Sequence, residues 1–352
     1  MSDRSGIEWT DASWNPVTGC TEVSAGCDRC YAKTLAERFR GTSGHYYENG
    51  FDFRLRPEKL DQPLRWRRPR RIFVNSMSDL FHDSVPDEYI ARVFAVMSYA
   101  YRHTFQLLTK RHARMRSLLS SPRFVDLFDR EFCKIPDWND RYPALDFARP
   151  GHVYHLADGP LSNVHMGVSA ENQQWADIRI PALRETPAAV RWISAEPLLG
   201  PIDLSRWITR DGYMREYSGH HTMCAVGSSG GCFVPWCDCP CHYEPVDRLH
   251  WVVVGGESGL GARPMHPDWA RNLRNQCQIA GVPFLFKQWG EYRPAIPGVD
   301  TWKHITTVAA LPDVPMTPGL DVGITEMRRV GKRRAGRELD GRTWDEYPRQ
   351  TL

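Results

Sequence analysis

Six short apolar runs, each ending abruptly in polar residues, limit what this chain can fold into. They are RIFVNSMSDLF (71–81), TFQLLTKR (104–111), NVHMGVSAEN (163–172), VRWISAEPL (190–198), LHWVVVGGESG (249–259) and VPFLFKQWG (282–290). Stretches such as Ile72–Phe73–Val74 and Trp251–Val252–Val253–Val254 are apolar without alternation, which suits strands covered on both faces, as in parallel sheets. Helical patterns lie between them. In PDEYIARVFAVMSYAYR (86–102), Ile90, Val93, Phe94 and Met97 fall on one stripe. In HPDWARNLRNQCQIAG (266–281), Trp269, Leu273 and Cys277 do the same, and Gly281 is placed as a stop. Strands alternating with helices mean βαβ units and right-handed crossovers. With a first strand expected near Trp14–Thr18, the count reaches about seven, a partial or complete parallel (β/α) barrel.

Of 352 residues, 41% are hydrophobic and 25% charged, which excludes wholesale disorder. The net charge of +3 is too slight for a nucleic-acid coat protein. No stretch approaches the roughly 18 consecutive apolar residues of a membrane span. The N-terminal MSDRSGIEWTDASW has no apolar signal core, so a cytoplasmic location away from membranes is expected. Residues 1–204 read as the first part of the barrel, with an insertion at 123–162. Residues 205–247 form a Cys/His-rich insertion, 248–291 the last barrel strands, and 292–352 a C-terminal extension.

Sites in parallel barrels are built at the C-terminal ends of the strands. There this chain carries Asn75, Ser76, Ser78 and Asp79; Thr109, Lys110 and Arg111; Ser169, Glu171 and Asn172; Ser194 and Glu196; Glu257 and Ser258; Lys287, Gln288 and Trp289. Any one of these suits a cap or a turn, but six strands ending alike indicate a shared site. Lys110, Glu257 and Lys287 are the candidate catalytic side chains, the lysines placed to meet an anionic substrate. The glycines of GGESGLG (255–261) resemble a phosphate cradle. Their spacing matches neither a dinucleotide fingerprint nor a Walker loop, and a rim turn with Arg263 paired to Glu257 is the alternative.

Ten cysteines in a chain expected in a reducing compartment point to metal before disulfides. Cys20, Cys27 and Cys30 share one short loop. Three thiolates there suit a [4Fe–4S] cluster with one iron open to a chelating ligand, or a zinc site completed by a distant His. The second group comprises Cys224, Cys232, Cys237, Cys239 and Cys241, with His220, His221 and His242. A subset suits a structural zinc knuckle, which lets a loop without a core fold around metal; an auxiliary iron–sulfur cluster is the alternative. Cys133 and Cys277 stand apart and suit buried apolar positions.

Cys27-Asp28-Arg29-Cys30-Tyr31 resembles the end of the C-x-x-x-C-x-x-C motif of the radical SAM superfamily, although the first gap is six residues rather than three. A wider resemblance is carried by WNPVTGCTEVSAGCDRCYA, FVNSMSDLFH, LLTKR, GVSAEN, ISAEPLLGPI, WVVVGGESGLGARPMHPDWARNLRNQC and PFLFKQWGE. Together these resemble a family of phage and bacterial proteins of unknown function, treated as radical-SAM-like relatives of spore photoproduct lyase and sometimes found beside a three-Cys-motif partner protein. The resemblance implies a barrel of the radical SAM type and a [4Fe–4S] cluster held by Cys20, Cys27 and Cys30. S-adenosyl-L-methionine would bind its open iron. A flavodoxin- or ferredoxin-type reductant would drive cleavage to methionine and a 5′-deoxyadenosyl radical, which abstracts a substrate hydrogen. Tyr31 would pack beside the cluster. Asn75, Ser76, Ser78 and Asp79 would face the methionyl end, and Ser169, Glu171 and Asn172 the ribose, with Ser194 and Glu196 next to them.

RWRRPRR (65–71) offers Arg65, Trp66, Arg67, Arg68, Arg70 and Arg71 as nucleic-acid contacts, the arginines for phosphate and the indole for stacking. RRVGKRR (328–334) is a second basic run. Solvated charge balancing acidic segments elsewhere is the alternative for both runs; the resemblance to phage and lyase-like proteins implies a nucleobase, nucleotide or nucleic acid as substrate. Two other classes stay open. One is a zinc-dependent barrel hydrolase whose site is completed by His82, His266 or a histidine of the insertion. The other is a non-catalytic, metal-stabilised protein that binds nucleic acid or mediates a phage–host interaction.

Overall fold

In the computed structural model, which describes residues 5–135, 156–208, 248–300, 304–309 and 323–348, seven parallel strands form one curled sheet, a half-barrel. In chain order come β1 (Ala12–Trp14) and a side ladder of β2 (Val17–Thr18) with β3 (Arg54–Leu55). The main sheet continues through β4 (Arg71–Val74), β5 (Thr104–Thr109), β6 (Val164–Ser169), β7 (Val190–Ala195), β8 (Trp251–Gly255) and β9 (Phe284–Gln288). Its spatial order is β1-β4-β5-β6-β7-β8-β9. Every apolar run expected to be a strand is one. The first strand starts earlier than expected: Ala12–Trp14 joins the sheet, and the chain leaves it before Val17. Pro16, lacking an N–H, cannot continue the ladder.

Helices α1 (Tyr31–Glu37), α2 (Asp87–Tyr99), α3 (His112–Leu119), α4 (Pro122–Phe132), α5 (Gln173–Arg184), α6 (Ser205–Ile208) and α7 (Pro267–Ala280) connect the strands. The presumed insertion at 123–162 thus opens with a helix. Phe124, Leu127 and Phe128 recur at helical spacing and are buried, with Phe124 edge-on to Phe94 of α2 at 5.4 Å. Likewise Ser205–Ile208 is helix, with Trp207 and Ile208 buried. Residues 209–247, which hold Cys224, Cys232, Cys237, Cys239, Cys241 and His242, lie outside the described residues.

Both faces of the sheet are covered, as the unbroken apolar runs require. Outward side chains such as Ile72, Val74, Val252, Val254, Phe284 and Phe286 join the helices in the main core. Inward ones, Phe73, Trp192, Trp251, Val253 and Leu285, meet Trp9 in the lumen. Trp9 stands 4.6 Å from Phe73 and 5.2 Å from Trp192, and Trp192 stands 5.1 Å from Trp251. Gly167 of β6 makes room for this stack, because a Cβ there would lie 2.4 Å from the Trp192 ring.

The C-terminal extension is built into the barrel. It carries a sheet of β10 (Tyr292–Pro294), β11 (Ile305–Ala309) and β12 (Ile324–Arg329), a turn of helix α8 (Lys332–Ala335), and a hairpin of β13 (Glu338–Leu339) with β14 (Arg342–Thr343). Beyond the hairpin the chain covers the open edge of β9. Asp345 bridges Leu285, the Phe286 N–H donates to the Trp344 carbonyl at 3.0 Å, and the Trp251 indole donates to the Glu346 carbonyl at 2.8 Å. Cys277 is buried as expected, but Cys133, at the end of α4, is exposed. Among the described residues no helix is long and apolar enough to cross a membrane.

Candidate active site at the strand ends

Above the tryptophan stack the half-barrel opens into a cavity of about 360 Å³. Cys20, Cys27 and Cys30 all line it, together with Tyr31, Asn75, Ser76, Ser78, Asp79, Lys110, Ser169, Ser194, Glu196, Glu257 and Lys287. Two of the expected contacts do not reach it. Asn172 caps α5, its Oδ1 accepting from the Trp175 N–H at 3.2 Å. Glu171 is sealed beneath the cysteine loop.

The loop is tied to the rim on three sides. On the β6 side the Ser24 hydroxyl donates to Glu171 Oε1 at 2.7 Å, and Glu171 pairs with Arg179 of α5 at 2.8 Å and faces Lys110 at 3.6 Å. Burial pushes the Glu171 carboxyl up, but Lys110, Arg179 and Ser24 outweigh it, and it ionises below its usual range. Gly26 rests directly on this carboxylate: a Cβ would lie 2.2 Å from Oε1. On the β8 side Arg263 holds Glu257 through two bonds of 2.9 and 2.7 Å and reaches the Ala25 carbonyl at 2.8 Å and Asp28 at 3.2 Å. On the β5 side Arg111 donates to the Thr21 hydroxyl at 2.7 Å, and the His82 ring lies 3.1 Å from the same oxygen.

This geometry revises several roles. Glu257 is engaged by Arg263 and lies 3.8 Å from Arg29, so it ties the cysteine loop to the end of β8. Asp79 accepts from the Thr109 hydroxyl and from the N–H groups of Phe81 and Lys110, which occupies both its oxygens. Lys110 donates to the Ser169 hydroxyl at 3.1 Å, and Lys287 to Glu196 at 2.5 Å. Ser78 donates to the Val17 carbonyl at 2.7 Å, and Ser76 to Asn15 at 3.2 Å. His266 caps α7 and lies 2.9 Å from the Thr325 hydroxyl, so neither it nor His82 faces the cavity.

The run at 65–71 lies at the other pole, since it leads into the N-terminal end of β4. Trp66 is buried, with Arg70 stacked on it at 4.9 Å, and is not exposed for base stacking. Arg65 pairs with Asp61 at 2.5 Å and Arg71 with Asp11 at 3.1 Å, while Arg67 and Arg68 are exposed. Sequence reasoning missed Arg29 and Lys332 as lining residues and Arg179 as the partner of Glu171.

The donor set suits an iron–sulfur cluster in kind: three thiols on one loop, all on one cavity. Among the described residues no three His, Cys, Asp or Glu side chains gather tightly enough to hold a single ion. A cubane asks for a wider arrangement, because its irons sit at separate corners. Burial, reinforced by the charge of Asp79, pushes the Cys20 thiol up to about 11, so metal binding must displace its proton. Two buried acceptors lining the same cavity from opposite sides of the sheet, Asn75 Oδ1 after β4 and Gln288 Oε1 at the end of β9, have no partner among the described residues, a match for a ligand bearing N–H donors.

Fold and cavity together define a parallel α/β half-barrel protein with a cysteine-lined mouth. The chain belongs to the family described as protein of unknown function (DUF5131), whose family model matches residues 4–348. No curated protein and no solved structure matches it.

Proposed function

We propose that this protein is a radical enzyme of the S-adenosyl-L-methionine class, acting on a nucleobase, nucleotide or nucleic acid. The observation that supports it is the convergence of Cys20, Cys27 and Cys30 on one cavity with the polar ends of six strands, β4 to β9. In this reading the three cysteines hold a [4Fe–4S] cluster. With S-adenosyl-L-methionine bound, such a cluster would supply one-electron reductive cleavage of the sulfonium and, through it, hydrogen abstraction from the substrate. The electron comes from a flavodoxin- or ferredoxin-type protein.

The chain's own contribution is positional. Ser24, Gly26 and Glu171 seat the cysteine loop, and Arg263 locks it against the end of β8. Asn75 and Gln288 offer acceptors to the cofactor's amino groups. Lys110 and Lys287 hold positive charge over the wall while paired to their own neighbours. The tryptophan stack closes the lumen from below and keeps water from the reacting atoms. Protein purified without oxygen should contain iron and acid-labile sulfide, and Cys27→Ala should abolish both. Dithionite with S-adenosyl-L-methionine should then yield methionine and 5′-deoxyadenosine. Zinc without sulfide in the wild type would sink the reading.

A further inference from the structure

Resting on that reading, we propose that the substrate is a single-stranded nucleic acid lying across the mouth of the cavity, its phosphates held by the turn at Lys332–Arg334 and one base stacked on Tyr31. Volume argues for the mouth. A cavity of about 360 Å³ is at the small end of the roughly 300–1,000 Å³ that accommodates one drug-sized ligand. A nucleoside cofactor and its cluster would fill it, and a second large ligand would have to meet them from outside.

The chain has two Arg-rich runs, and only one reaches this place. Lys332 lines the cavity, whereas the run at 65–71 stands at the far end of β4. The turn is held in position from below: the Gly331 N–H donates to the Glu291 carbonyl at 3.0 Å, the Trp289 N–H donates to the Gly336 carbonyl at 3.2 Å, and Ala335 is buried. Lys332 pairs with Glu8 at 3.2 Å. Arg333 and Arg334 are exposed, and among the described residues neither forms an ion pair.

Across the mouth the carboxylates Glu196 and Glu257 are matched by Lys287 and Arg263, so neither is left to repel a phosphate. Tyr31 lines the same cavity and is 54% exposed, its hydroxyl anchored to the Ser76 carbonyl at 2.6 Å. An exposed, anchored ring on the same cavity as Lys332, whose turn continues into two exposed guanidinium groups, is the combination that binds single strands, bases on the ring and phosphates on the cations. A duplex would keep its bases out of reach.

The test is fluorescence anisotropy with labelled single-stranded DNA and RNA between 50 and 200 mM salt. Arg333→Ala with Arg334→Ala should weaken binding about tenfold at low salt and flatten the slope of log affinity against log salt by about one to two. Tyr31→Leu should weaken binding about tenfold with the slope unchanged. Arg67→Ala with Arg68→Ala should change neither. Equal loss from that distal pair, salt-independent binding by the wild type, or equal affinity for an acidic peptide of the same charge would each overturn the proposal. Because binding is read without turnover, the two readings separate. Iron-loaded protein that ignores nucleic acid refutes this inference alone, and nucleic-acid binding by a protein that takes up no iron refutes the radical reading alone.

Discussion

Glu171 and Arg179 are both sealed from water and 2.8 Å apart. Removing one partner of such a pair leaves the other charge buried, which costs about 3–5 kcal/mol, far more than the intact pair contributes. Lys110 and Ser24 still face Glu171, so Arg179→Ala should sit at the low end, about 3 kcal/mol in a urea titration. The double change Arg179→Met with Glu171→Gln should recover part of that loss. A single-variant loss under about 1 kcal/mol would show that the pair is not sealed. In the sequence Glu171 reads as a ligand because it ends a strand. Its partner lies two helical turns on, a pairing with no periodic signature. Asn172 was more legible than its assigned role, since Asn before a helical pattern is an ordinary N-cap.

At the scale of elements, the strands were readable because parallel strands buried on both faces have nowhere to put a polar residue, so their runs are continuous and their ends abrupt. The lumen stack was not, since nothing in a run says which of its residues face inward. The cysteine loop is an element without regular structure, held by side chains from strands far away in the chain. Arg263 is its main tie to β8. Arg263→Ala removes charge-assisted bonds, each contributing about 1.5–3 kcal/mol, and should speed amide exchange across residues 20–30 at least tenfold while β6 and β7 stay protected. Arg263→Lys should restore little, because a point charge cannot hold Glu257 in two-pronged fashion. Uniform exchange in all variants would mean the loop is held by β6 alone.

For the whole molecule, acid is the first lever. His103 and His165 are buried, and desolvation lowers both to about 4 from an ordinary value of 6.5. Their neutral forms are favoured by folding, so the stability they confer is complete above about pH 6.5 and is lost as pH falls toward 4. The unfolded chain binds the extra protons in that window. The slope should approach about 1.4 kcal/mol per pH unit for each histidine, and His103→Gln should flatten it by one proton. The second lever is barrel closure. β9 ends the sheet, and an uncovered edge would expose its N–H row to pairing with other chains. The chain answers with its own tail: Trp344 is buried, packs edge-on to Phe284 at 6.0 Å, and supplies the carbonyl that accepts from Phe286. None of this was visible as a pattern, because Trp344 and Asp345 bond through backbone to a strand some sixty residues earlier. Trp344→Ala should cost about 3–5 kcal/mol, as large core truncations do, and leave the Phe286 amide open to exchange before the rest of the sheet. If Phe286 stays as protected as Val253 in the centre, the tail is an ornament on a sheet that closes without it.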